Sequence, residues 1–120
     1  MKPKPITKKE TPKTMKPFAN DMEYEIHWLR RASTEIETIY RFYKHFASDI
    51  VAKRRISKII HSVDYLKKMP YLGRKDEDFI NIREYRYLVV LTYKIYYFIE
   101  NDKVYIASIW DCRQGSNAFN

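Results

Sequence analysis

Four cations in the last third of the chain, Arg83, Arg86, Lys94 and Arg113, are of the types that grip phosphate groups. Guanidinium forks bind phosphate oxygens in pairs, whereas lysine acts as a point charge. Tyr85, Tyr87 and Tyr96 fall among them, and their rings can stack on unpaired bases. Gathered on one sheet face or along its rim, these residues would form a surface for single-stranded RNA. Cleavage by a ribose 2′-hydroxyl would also need a base, an acid and charge stabilisation at the pentacovalent phosphorus. A solvated sheet face accounts for the same charges and is the stronger reading from the residues alone, so the pattern by itself does not establish an RNA surface.

Other chemistries find less support. His27, His45 and His61 lack paired spacing, so no metal site is expected. With Gly73 and Gly115 the only glycines, a glycine-rich phosphate loop is excluded, and no cofactor is implied. The single cysteine, Cys112, rules out an intrachain disulfide and suits a reducing cytoplasm. The longest apolar run, Tyr87 to Ile99, is interrupted by Lys94 and is too short for a membrane-spanning helix.

The elements that must hold these residues follow from hydrophobic periodicity. Residues 1–22 hold six lysines against Glu10 and Asp21 and four of the five prolines. This composition predicts a disordered basic tail, with Met15 and Met22 as alternative starts. The tail supplies +4 of the net charge of +8 and leaves the body moderately basic. The body, residues 23–120, is one domain in a chain that is 45% hydrophobic and 16% aromatic, enough for a core.

Glu23 to Trp28 alternates as a short strand. Ala32, Ile36, Ile39, Tyr40, Tyr43, Phe46 and Ala47 then mark one face of a helix. Ser48-Asp49 offers a cap. A second helix turns Ile56, Ile59, Ile60, Val63 and Leu66 inward and Arg54, Arg55, Lys58, Lys67 and Lys68 outward, and Pro70 ends it. The short link predicts an antiparallel helical hairpin.

Three strands follow. Phe79 to Tyr87 reads as the first, with Ile80 and Ile82 opposite Asn81, Arg83 and Tyr85; a turn lies within Leu88 to Thr92. Tyr93, Ile95, Tyr97 and Ile99 alternate with Lys94, Tyr96 and Phe98, and Asn101-Asp102 makes a hairpin turn. In the last strand Val104, Ile106, Ser108 and Trp110 alternate with Tyr105, Ala107, Ile109 and Asp111. The expected fold class is α+β: a short N-terminal strand, an antiparallel helical hairpin, then a three-stranded antiparallel sheet packed on the helices.

Over residues 23–114 the chain resembles the RelE/ParE superfamily of toxins from type II toxin–antitoxin systems. The resemblance rests on Tyr24-x-Ile26-x-Trp28, Leu66-x-x-Met69-Pro70-x-x-Gly73-Arg74, Ile82-Arg83-Glu84, Tyr93-Lys94-Ile95-Tyr96-Tyr97 and Arg113-Gln114. It implies a growth-inhibiting protein neutralised by a co-expressed acidic antitoxin, with a heterotetramer as one form of the complex. RelE-like members cleave mRNA on the ribosome without a metal; ParE-like members poison DNA gyrase.

On the RelE pattern the catalytic set would be Arg86, Lys94 and Arg113. Lys94 stands in place of an arginine, and Phe119 falls where a tyrosine is used. The helical hairpin, the Pro-x-x-Gly-Arg connection and the Arg-Gln ending look more like ParE, for which Arg83, Arg86 and Arg113 would bind the target. A third reading is an inactive toxin that acts with its antitoxin as a corepressor.

Overall fold

The computed structural model describes residues 23–79 and 83–113. The expected tail at 1–22, the strand residues Ile80, Asn81 and Ile82, and the C-terminal Gln114 and Phe119 lie outside them. Strand β1, Glu25–Trp28, leads into helix α1, Arg30–Phe46. Ala47 and Ser48 link it to helix α2, Asp49–Asp64, which runs into a 3₁₀ turn at Tyr65–Lys67. The remaining elements are β2, Arg74–Lys75, a 3₁₀ turn at Glu77–Phe79, β3, Arg86–Val90, β4, Tyr93–Glu100, and β5, Lys103–Asp111.

One five-stranded sheet results, in the order β1-β5-β4-β3-β2. The hairpins β3–β4 and β4–β5 and the short β2–β3 pair are antiparallel, while β1 runs parallel to β5. The class is α+β as expected, but the sheet is mixed and larger than the three antiparallel strands the sequence suggests. β1 joins the same sheet by pairing with β5, which lies about 75 residues further along the chain, a pairing that local periodicity does not encode.

The helices cover one face of this sheet. α1 lies over β5 and α2 approaches β3. Ala32, Ala52, Ile59, Val63 and Leu66 meet Ile95, Tyr97, Val104 and Ile106, all of them fully or almost fully buried. Phe46, Ala47 and Ile60 were expected in that core and are exposed instead, because the apolar stripe of each helix is narrower than the sequence pattern. Arg55, expected outward, is half-buried with its guanidinium 4.6 Å from the Tyr43 ring centroid. Ser48 caps α2 as expected, its hydroxyl oxygen accepting the Val51 N–H at 3.1 Å.

Two strand readings are corrected. Of the strand expected over 79–87, Phe79 lies in a 3₁₀ turn and residues 83–85 are irregular; β3 runs from Arg86 to Val90, and its turn is Leu91-Thr92, with Leu91 at φ 58°. The β5 alternation holds for Val104 and Ile106, then shifts. Tyr97 pairs with Ile106 but Tyr96 pairs with Ser108, so Ala107 is the extra residue of a bulge. Beyond it Ile109 faces the core, and Trp110 turns to the opposite face against Tyr96. Asn101 and Asp102 form the expected hairpin turn, with φ 53° and 63°, the pattern of a type I′ turn.

Candidate functional site

The bulge and the shortness of β1 together create a groove. β1 covers β5 only from Lys103 to Ile106, so among the described residues the edge beyond has no strand partner and runs beside α1. The Ile109 N–H on that edge donates to Glu35 Oε1 of α1 at 2.8 Å, and the Ser108 hydroxyl donates to the same oxygen at 3.2 Å. Arg31 steadies the other carboxylate oxygen at 3.2 Å. Next to this contact a groove of about 650 Å³ opens, walled by Thr38, Ile39 and Phe42 on one side and by Tyr93, Ile109 and Arg113 on the other. Phe42 is 49% exposed at its lip, and Phe46 packs on Phe42 with ring centroids 4.9 Å apart.

A polar cluster closes the end of the groove. Arg113 folds back on Asp111: Nε donates to Oδ1 at 3.1 Å, Nη2 to Oδ2 at 2.8 Å, and the backbone N–H to Oδ1 at 2.9 Å. These bonds hold the Asp111 carboxyl below its ordinary range and push the Arg113 guanidinium further up. Nη2 also reaches the Tyr43 hydroxyl at 3.4 Å, and the Tyr93 hydroxyl donates to Tyr43 at 3.3 Å. Tyr43 is therefore lowered, first by the Tyr93 bond and then by Arg113 and Arg55, against the effect of burial. Tyr93 is raised, chiefly by burial and then by its bond to Tyr43.

The four cations singled out by sequence do not gather. Arg113 sits at the groove. Lys94 is at the same end of the sheet but on the far face, 4.6 Å from the Tyr87 ring centroid. Arg83 lies toward the other end, 4.0 Å from the Phe98 ring centroid and paired with Glu100 at 3.3 Å.

Arg86 faces the helices, since it pairs with buried Tyr97, and only 17% of its side chain is exposed. It donates to Gly73 O at 2.9 Å and Tyr71 O at 3.4 Å and pairs with Glu84 at 3.0 Å. Expectation of a shared face or rim is thus corrected: side-chain alternation puts Arg86 and Lys94 on opposite faces. No group of three His, Cys, Asp or Glu side chains able to hold a metal occurs among the described residues. Nor is any described helix long and apolar enough to cross a membrane.

Sequence reasoning missed Glu35, Phe42 and Asp111. Asp111 carried a readable signal, a carboxylate two residues before Arg113; Glu35 carried none, because its partner depends on the bulge. What the arrangement offers is an apolar trough with a polar end, in which the Arg113 fork is already committed to a carboxylate. Such a site suits a partner's side chains better than a reacting phosphate.

Comparison with known proteins agrees with the fold. A solved structure described as the chromosomal ParDE TA system from P. aeruginosa superposes with a TM-score of 0.65 at 18% identity, covering 75% of this chain and 97% of that one. Comparison with curated protein sequences finds no match. The family model of the ParE toxin of the type II toxin–antitoxin system, parDE, matches residues 26–115, most of the body from within β1 through the Arg113 cluster, and the chain belongs to that family.

Proposed function

We propose that this chain is the toxin of a type II toxin–antitoxin pair, acting in the cytoplasm by binding DNA gyrase. In this reading the groove between α1 and the open edge of β5 receives an acidic, amphipathic segment of the antitoxin. Membership of the ParE family supports the toxin role, and the exposed Phe42 lip beside a β5 edge that no described strand covers beyond Ile106 supports the docking place. A segment that folds on binding would lay apolar side chains against Ile39 and Phe42. A heterotetramer of two toxins and two antitoxins is the assembly we favour.

The mRNA-cleaving alternative asks Arg86, Lys94 and Arg113 to meet at one phosphate. It is the weaker reading, because Arg86 is engaged with Gly73 and Glu84 on the face opposite Lys94. The corepressor reading shares the antitoxin but not the target.

Controlled induction in a bacterial host, following growth, DNA supercoiling and transcript ends together, tests all three. Growth arrest with altered supercoiling and intact transcripts is the expected outcome. Codon-phased transcript ends would replace gyrase with the nuclease reading, and unimpeded growth with an intact complex would favour the corepressor. For the docking place, Phe42→Asp should abolish co-purification with the antitoxin encoded beside the gene. It should leave the thermal midpoint of the free toxin within a degree or two, roughly, because Phe42 is half exposed.

A further inference from the structure

The sheet face turned away from the helices carries aromatic rings in cross-strand contact. Tyr96 bridges Trp110 of β5, at a centroid distance of 4.8 Å, and Tyr87 of β3, at 5.6 Å. Three strands thus contribute one row of rings, and the described helices lie on the other side of the sheet. Lys94 stands over the Tyr87 ring at 4.6 Å, and exposed Arg74 of β2 sits opposite Tyr87 in the ladder. Neither cation makes an ion pair with a carboxylate among the described residues. A second row joins His27, Tyr105 and Phe98, but its cation, Arg83, is already paired with Glu100.

We propose that the Trp110–Tyr96–Tyr87 row, flanked by Lys94 and Arg74, is a binding surface for single-stranded polynucleotide. Tyr96 itself is buried, 6% exposed, and holds Trp110 and Tyr87 in place; these two partly exposed rings offer faces and edges to unstacked bases, and the cations beside them meet the phosphates between those bases. The net charge of +8 favours approach of a polyanion. Stacking and phosphate contact do not read the sugar, so DNA and RNA single strands bind alike. Asp76, whose carboxylate accepts the Asp78 N–H at 2.9 Å, lies near the Tyr96 hydroxyl and marks an acidic border of the surface. This surface is on the face opposite the Phe42 groove, and the inference depends on neither gyrase nor antitoxin.

The test uses the purified full chain with fluorescent oligothymidylate and oligouridylate of about twelve nucleotides, within the usual site size of a single-strand binding module. Anisotropy should rise and Trp110 emission should be quenched with the same midpoint; Trp28, the other tryptophan, packs on the helix-side core. The Lys94→Gln/Arg74→Gln double variant should bind about tenfold more weakly and flatten the log–log salt dependence by roughly 1.4, two phosphate contacts' worth.

Several results overturn the proposal: no binding, an anisotropy rise without tryptophan quenching, or an unchanged affinity of the double variant. Equal affinity for a duplex of the same length, or a sugar preference above about tenfold, does so as well. If this face instead serves a protein partner, the oligonucleotides leave both signals flat.

Discussion

Tyr97 shows why the Pro70-x-x-Gly73-Arg74 connection has the composition it has. Its ring is fully buried, and its hydroxyl donates to Pro70 O at 2.8 Å while accepting the Gly73 N–H at 2.8 Å. Burial raises the phenol's pKa above its usual value, so it stays neutral and keeps both roles. A Cβ on Gly73 would come within 2.6 Å of that hydroxyl and 2.8 Å of Tyr87 O, which excludes any side chain there without moving backbone. Tyr97→Phe should cost about 1–3 kcal/mol, because it strands a buried donor and acceptor. Gly73→Ala should cost at least as much; urea unfolding measures both. A small effect of Tyr97→Phe would mean that water replaces the hydroxyl, and a small effect of Gly73→Ala that the backbone yields there.

Asp111 adds a pH signature at the same scale. Arg113 lowers its folded pKa, so its contribution is complete above the unfolded value of about 3.9 and is lost as pH falls through the depressed folded value. Asp111→Asn should therefore flatten the acid limb of stability below about pH 4 and have its largest relative cost near neutrality. Urea midpoints across that range check the sign.

Among the elements, the helical hairpin was the most legible part. Periodic apolar residues and the Ser48 cap are local signals; the structure keeps the cap and both helices, with Phe46, Ala47 and Ile60 falling outside the buried stripe. Ser48→Ala should destabilise by about 1 kcal/mol through loss of the bond to the Val51 N–H, read as a shift in the urea midpoint. The strands were less legible for two reasons. A period-two pattern cannot register an extra residue, so the Ala107 bulge reversed the reading of Ser108 through Asp111. And a two-residue turn at Leu91-Thr92 has no glycine, although Leu91 adopts a left-handed conformation that glycine takes more easily. The candidate site inherits both errors: Arg113 lies two residues beyond β5, close to the strand end expected for it, whereas the Glu35 contact and the opposite faces of Arg86 and Lys94 depend on registers that composition does not carry.

Taken whole, the molecule has two unlike sides, helices with the Phe42 groove on one and cation-flanked rings on the other, joined through one sheet. The first tertiary bond among the described residues is the Tyr24 N–H to Lys67 O at 2.8 Å. Deleting residues 1–22, the tail expected from composition, should leave the thermal midpoint unchanged, since every described core residue is retained. The deletion takes away six lysines and two carboxylates and halves the net charge of +8. Oligonucleotide affinity should consequently fall at low salt, where long-range attraction counts, and converge on that of the full chain as salt approaches about 0.3 M. Trp110 quenching at saturation should be the same for both lengths, because the rings that stack are all in the body. A truncated chain that melts earlier would show that the body begins further upstream; one that binds without quenching, or does not bind at all, would assign polynucleotide binding to the lysines of the first 22 residues.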